Sequence, residues 1–130
     1  MLTIEQIEEA NSKVKTGADF PQLARALAAL GVKSNDVYVR DGHAEYFGGD
    51  GDRLSTGAIY PPREIADAGD AEKFKNYLKI HQRGETDYPA FCRQAAETGV
   101  EKWTIDFDKM TCTYFDKAGR EMLTETIPAV

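Results

Sequence analysis

The chain has 130 residues, of which 42% are hydrophobic and 29% charged, and it carries a net charge of −6 at pH 7 with a pI of about 4.9. That size and balance fit one soluble globular domain and exclude a disordered chain. The sixteen basic residues form no dense run, which argues against counterion-driven nucleic-acid binding, and an acidic surface repels anionic membranes.

No stretch approaches the roughly 20 apolar residues of a membrane span. The opening MLTIEQIEEANSKVKTG lacks the basic and apolar regions of a signal peptide, so a cytoplasmic location is expected. Two cysteines, Cys92 and Cys112, are too few for a disulfide framework and are expected to be reduced.

The first predicted helix starts at Thr3, an N-cap with Gln6 at N3 as a capping box and Leu2 against Ile7 as a hydrophobic staple. Ile4, Ile7 and Val14 recur at helical spacing. A second helix is announced by Asp19 as cap, Pro21 in the first turn and Gln22 at N3; its stripe is Phe20, Leu23, Ala24 and Leu27, and Gly31 ends it. Strands over Val37–Arg40 and His43–Phe47 flank Asp41-Gly42, a two-residue hairpin signal that sets Arg40 opposite His43, Val39 opposite Ala44, Tyr38 opposite Glu45 and Val37 opposite Tyr46. A glycine-rich turn, Gly48 to Asp52, precedes a third strand near Arg53–Ile59. The proline-containing segment Tyr60 to Gly69 reads as a linker.

The same order then recurs. Asp70 caps a helix with the stripe Phe74, Tyr77, Leu78 and His81, stopped by Gly84. Asp87 and Pro89 open a helix with the stripe Tyr88, Phe91, Cys92 and Ala95, stopped by Gly99. Strands follow at Trp103–Asp108 and Met110–Phe115, with Trp103, Ile105 and Phe107 on one face. The turn Asp116–Gly119 leads to a last strand over Arg120–Ile127.

The recurrence extends to residue identity. Sliding the chain by 68 positions lays Asp19–Thr56 on Asp87–Thr124 without a gap. Ten of those 38 pairs are identical, among them Pro21/Pro89, Arg25/Arg93, Gly31/Gly99, Tyr46/Tyr114 and Phe47/Phe115. Ordinary composition would give roughly 2 or 3. The expected fold is therefore α+β: a duplicated ααβββ unit, residues 1–60 and 68–128, forming one domain. Helices pack on one face of an antiparallel sheet, and the halves are related by a pseudo-two-fold axis.

The candidate site residues are weighed against this duplication. Cys92 stands where the first half has Ala24, on an apolar stripe, so a buried inert thiol is expected. Cys112 corresponds to Ala44 and is expected opposite Phe107, also inward. His81 ends an apolar stripe and must find partners for its ring nitrogens; it is either a hydrogen-bonded helix-end histidine or a base or ligand in a crevice between the halves. The outward face of the first hairpin gathers Tyr38, Arg40, His43 and Glu45, where the second half has Asp106, Asp108, Thr111 and Thr113. His43 and Glu45 alone do not make a metal site. GGDGD lacks the lysine of a phosphate loop and the remaining carboxylates of a calcium loop, so no metal or cofactor is expected.

The run His81–Pro128 resembles the YbcV-like family of small bacterial proteins, domain-of-unknown-function family 1398. The likeness rests on H-Q-x-G-x-T-D-Y-x-x-F-C over His81–Cys92, the Trp103 strand, M-T-x-T-Y-x-D-x-x-G from Met110 to Gly119, and Glu125-x-Ile127-Pro128. The resemblance implies no catalytic residues. Some members carry a phage-envelope label, which implies at most a phage-derived accessory protein.

The function expected from the residues is a small binding or interaction module without a catalytic signature, with a homodimer formed through a sheet edge or the outer hairpin face. The alternative is a small-molecule-binding protein or enzyme using His81, or His43 with Glu45, in a crevice between the repeats.

Overall fold

The computed structural model describes residues 3–14 and 17–127. Its elements are α1 (Ile4–Ser12), α2 (Phe20–Ala29), β1 (Val32–Tyr38), β2 (Ala44–Gly48), β3 (Arg53–Ser55), α3 (Ala71–Gln82), α4 (Tyr88–Glu97), β4 (Lys102–Asp106), β5 (Thr111–Phe115) and β6 (Glu121–Thr126). The fold is α+β, with these four helices beside a six-stranded antiparallel sheet in the order β3-β2-β1-β4-β5-β6.

Helix starts follow local chemistry. Thr3 takes an extended backbone, and its hydroxyl accepts from the Gln6 N–H at 3.2 Å while the Gln6 side chain accepts from the Thr3 N–H at 2.9 Å, closing the expected capping box. The staple residue Leu2 lies outside the described residues. Asp70 caps α3 by accepting from the Lys73 N–H at 3.1 Å, and Asp87 caps α4 by accepting from the Ala90 N–H at 2.8 Å. Asp19 departs from expectation. A 3₁₀ turn over Gly17–Asp19 brings it into α2 already helical, with φ −86 and ψ −4, and its side chain makes no cap hydrogen bond. Side-chain capping needs an extended residue at that position, so the box with Gln22 does not form.

The first hairpin corrects the sequence reading. β1 begins at Val32 and not at Val37. The polar run Lys33-Ser34-Asn35-Asp36 has loop composition. It is nonetheless a central strand, paired on both sides by β2 and β4, and that pairing overrides its weak strand preference. Val37 lies opposite Ala44 and Asp36 opposite Glu45, and the Tyr38 N–H donates to the His43 carbonyl at 3.0 Å. The expected pairing of Arg40 with His43, and of Val39 with Ala44, is therefore displaced by two residues, and residues 39–42 form a four-residue loop.

A two-residue slip keeps every side chain on its own face, so Val37 and Val39 still point inward and are buried. The longer loop forms because other segments hold the hairpin tip. The Val39 N–H donates to the Glu101 carbonyl at 2.9 Å, and the Ile59 N–H donates to Asp41 at 2.9 Å. Gly42 takes φ +76 beneath Ile59, where an added Cβ would come within 2.4 Å of the Ile59 side chain. The second hairpin shows the same displacement: Cys112 lies opposite Ile105, not Phe107.

The alternation of the second half holds, with Trp103, Ile105 and Phe107 all buried. β3 is shorter than expected, ending at Ser55. Thr56 still bonds to Ala44, its N–H donating to the carbonyl at 2.8 Å, and residues 57–59 then leave the sheet. The core centres on Phe74, fully buried, with its ring 4.7 Å from Tyr114 and 5.8 Å from Phe91. Trp103 joins the cluster at 5.7 Å from Phe91 and 5.9 Å from Tyr114. The separations suit offset and tilted aromatic packing.

Candidate functional site

The inward face of the sheet is not completely covered. A crevice of about 840 Å³ lies over it. Its floor is built by Asn35 and Val37 of β1, Ala44 and Tyr46 of β2, Trp103 and Ile105 of β4, and Cys112 and Tyr114 of β5. Its walls come from all four helices: Glu8 and Asn11, Phe20 and Leu23, Leu78 and His81, Tyr88 and Phe91. Gly57, Ala58 and Ile59 form part of the mouth. The volume and the mainly apolar, aromatic lining are those of a small-molecule site.

Among the described residues, the large hydrophobic side chains left exposed are Ile59 at 60% and Tyr88 at 39%, and both line this crevice. Tyr88 was expected on the core stripe of α4. Phe91, Cys92 and Ala95 are buried as predicted, whereas Tyr88, in the first turn, sits at the opening with its ring edge-on to Trp103 at 6.4 Å.

His81 lines the crevice and is 8% exposed. Its ring stacks on Phe91 at 4.3 Å. Nδ1 lies 3.2 Å from both the carbonyl and the hydroxyl of Thr86. A carbonyl only accepts, so Nδ1 carries the proton and Nε2 is the bare nitrogen of the neutral ring. Burial lowers the pKa of His81, outweighing the opposing effects of the Thr86 carbonyl and Asp87. His81 is thus a hydrogen-bonded histidine near the end of α3, and its ring lies on the lining of the crevice between helices and sheet.

Asn35 is the residue the sequence reading missed. It is 2% exposed, it lies on the crevice floor, and its Oδ1 is buried without a hydrogen-bond partner among the described residues. Buried carboxamides rarely stay unpaired. The available signal was its position: Asn35 stands 68 residues before Trp103, a polar side chain where the second half has an indole.

The outward cluster forms without Arg40. Tyr38 and His43 stack at 4.4 Å, and the Tyr38 hydroxyl donates to Glu45 at 3.4 Å. Glu45 also pairs with Arg53, whose hydrogen bond lowers the Glu45 pKa. Arg40 lies in the hairpin loop, exposed, because the two-residue register shift leaves it outside the strand, and the cations at the cluster are Arg53, paired with Glu45, and Lys102, over the Tyr38 ring. His43 bonds through Nδ1 to Asp41. Tyr38, His43, Glu45 and Arg40 do not line the crevice, so the structure sets His81 apart from the other four candidates.

Cys92 and Cys112 are free and buried. Burial raises both thiols, Cys112 to about 12, which keeps them protonated and poor nucleophiles. Among the described residues no group of three or more His, Cys, Asp or Glu side chains could hold a metal ion, and no helix is long and apolar enough to cross a membrane.

The chain is 31% identical over 98 residues to uncharacterized proteins of Mycobacterium bovis and Mycobacterium tuberculosis. The match covers 74% of this chain and 59% of each relative, so the chain spans well under two thirds of the mycobacterial proteins it resembles. The profile of one family, described as a protein of unknown function, DUF1398, covers residues 8–126. With that match running over nearly the whole chain, the protein belongs to the DUF1398 family.

Proposed function

We propose that this protein binds a small, largely apolar molecule in the crevice between its helices and its sheet. The observation that carries the reading is that the exposed large hydrophobics among the described residues, Ile59 and Tyr88, both stand on the lining of a crevice of about 840 Å³. Leaving apolar side chains in water costs roughly 25 cal/mol per Å², and a ligand seated against them recovers that cost. His81 contributes a neutral ring to the wall.

A thermal-shift screen of metabolites tests this, because a ligand of the native state raises the transition by mass action. The control is Gly57→Trp. A Cβ at Gly57 meets nothing within 4 Å and its φ lies outside the left-handed region, so a side chain is accommodated there without backbone strain, and an indole at this lining position is expected to narrow the mouth. Ligands that stabilise the wild type and not Gly57→Trp support the reading; ligands that stabilise both equally overturn it.

The crevice reading goes with a duplicated origin for the single domain, residues 1–60 and 68–128. Its support is the antiparallel pairing of β1 with β4, in which Asp36 lies opposite Thr104, its own counterpart 68 positions on. The Val39 N–H donates to the Glu101 carbonyl and the Phe107 N–H donates to the Lys33 carbonyl, each at 2.9 Å. These two bonds are images of one another under the same shift. A homodimer through a sheet edge or the outer cluster of Tyr38, His43 and Glu45, in a cytoplasmic protein, remains the companion proposal. Light scattering tests it, and a strict monomer at high micromolar concentration refutes the dimer.

A further inference from the structure

We propose that the ligand of this crevice is a neutral or cationic planar nitrogen heterocycle, carrying a hydrogen-bond donor and an acceptor side by side on one edge, which pairs with the carboxamide of Asn35. The inference rests on the crevice being a binding site and adds the chemistry of what it binds. Three observations support it.

The first is the floor. The Asn35 Oδ1 is buried and has no hydrogen-bond partner among the described residues. An unpaired buried acceptor costs on the order of 1–3 kcal/mol, which a ligand N–H removes. The amide nitrogen beside it donates, so the complementary group offers N–H and an acceptor together, as a lactam or an aminopyridine edge does. Asparagine reads adenine edges by the same bidentate pairing.

The second is the aromatic lining. Tyr46, Trp103 and Tyr114 of the floor and Tyr88 and Phe91 of the walls border the space, and aromatic faces and edges favour a flat ring system over a branched aliphatic one. The third is charge. Glu8 and Glu125 line the crevice, and among the described residues no lysine or arginine does. Glu125 is held by the Gln82 side chain at 2.8 Å. Burial lowers the pKa of His81, which disfavours its charged form. A phosphate or carboxylate entering here would lose its hydration beside two carboxylates and no cation of the described lining, which disfavours anionic ligands and favours a neutral or cationic heterocycle.

The chain has one tryptophan, Trp103, and it lines the crevice, so its fluorescence reports on this site. Three tricyclic probes of one shape separate the contributions: the lactam phenanthridin-6-one, the hydrocarbon phenanthrene and the anion phenanthrene-9-carboxylate. In the wild type the lactam is expected to bind at least tenfold more tightly than the carboxylate. Asn35→Leu is expected to weaken the lactam about tenfold and leave the hydrocarbon unchanged. Asn35→Val repeats the test with a side chain that favours strands. If both variants shift lactam and hydrocarbon alike, or the carboxylate matches the lactam, the proposed chemistry falls while the binding site stands. If neither lactam nor hydrocarbon alters Trp103 emission in the wild type, the binding site falls with it.

Discussion

Asp36 and Thr104 face each other across the two central strands, and the Thr104 hydroxyl donates to the Asp36 carboxylate at 2.6 Å. The pair joins the two halves on the outer face of the sheet, at the point where the strand order turns from β1 to β4. Close by on that face Lys102 lies over Tyr38 and Phe115 at 5.8 and 5.5 Å. The halves are thus joined by polar and cation–π contacts outside and by the aromatic core inside.

Thr104→Val keeps the β-branched shape and removes the donor. It is expected to destabilise the fold by about 1 kcal/mol, with a larger share when Asp36 is left without a partner. Urea denaturation of Thr104→Val, Asp36→Asn and the double variant measures the coupling. A cycle that closes at zero would mean that the bond adds nothing.

The helix-ending glycines separate backbone strain from packing. Gly31 and Gly99 have φ +98 and +87, so alanine at either position pays a left-handed penalty of roughly 1–2 kcal/mol. An added Cβ at Gly31 meets nothing within 4 Å, whereas at Gly99 it would lie 2.7 Å from the Ala68 carbonyl oxygen and the Gly69 Cα. Gly99→Ala is therefore expected to lower the melting temperature by clearly more than Gly31→Ala. Equal losses would place the whole effect in φ.

His81 makes stability depend on pH in a stated direction. Its folded pKa lies below the ordinary histidine value of about 6.5, chiefly through burial. As pH falls through that value the unfolded chain takes up the proton and the folded chain does not, so stability is present above it and declines below it. The slope is at most about 1.4 kcal/mol per pH unit from this one group. Melting curves between about pH 7.5 and 5.5 are expected to show the decline in the wild type and a flatter profile in His81→Gln. Unchanged slopes would remove His81 as the source.

Asn35→Leu is expected to stabilise the unliganded protein by about 1–3 kcal/mol, because it replaces an unpaired buried acceptor by an apolar side chain of similar size. A site that binds better with the less stable residue follows the usual opposition of function and stability. Destabilisation of that size on chemical denaturation would mean that Asn35 serves the fold.

Local chemistry alone determined the element order. Thr3, Asp70 and Asp87 mark helix starts with their own side chains, Gly31, Gly84 and Gly99 mark ends, and the alternation around Trp103, Ile105 and Phe107 marks which face is buried. These signals act over three or four residues, so no partner is needed to read them. Hairpin register was beyond reach, because Asp41-Gly42 reads as a tight turn and only the contacts of Val39 with Glu101 and of Ile59 with Asp41 open the loop to four residues. Asn35 is a loop-like asparagine in sequence. Only the pairing of β1 on both sides sends it to the floor of a crevice, where Asn35 with its unpaired amide oxygen, not Cys92, becomes the residue to test.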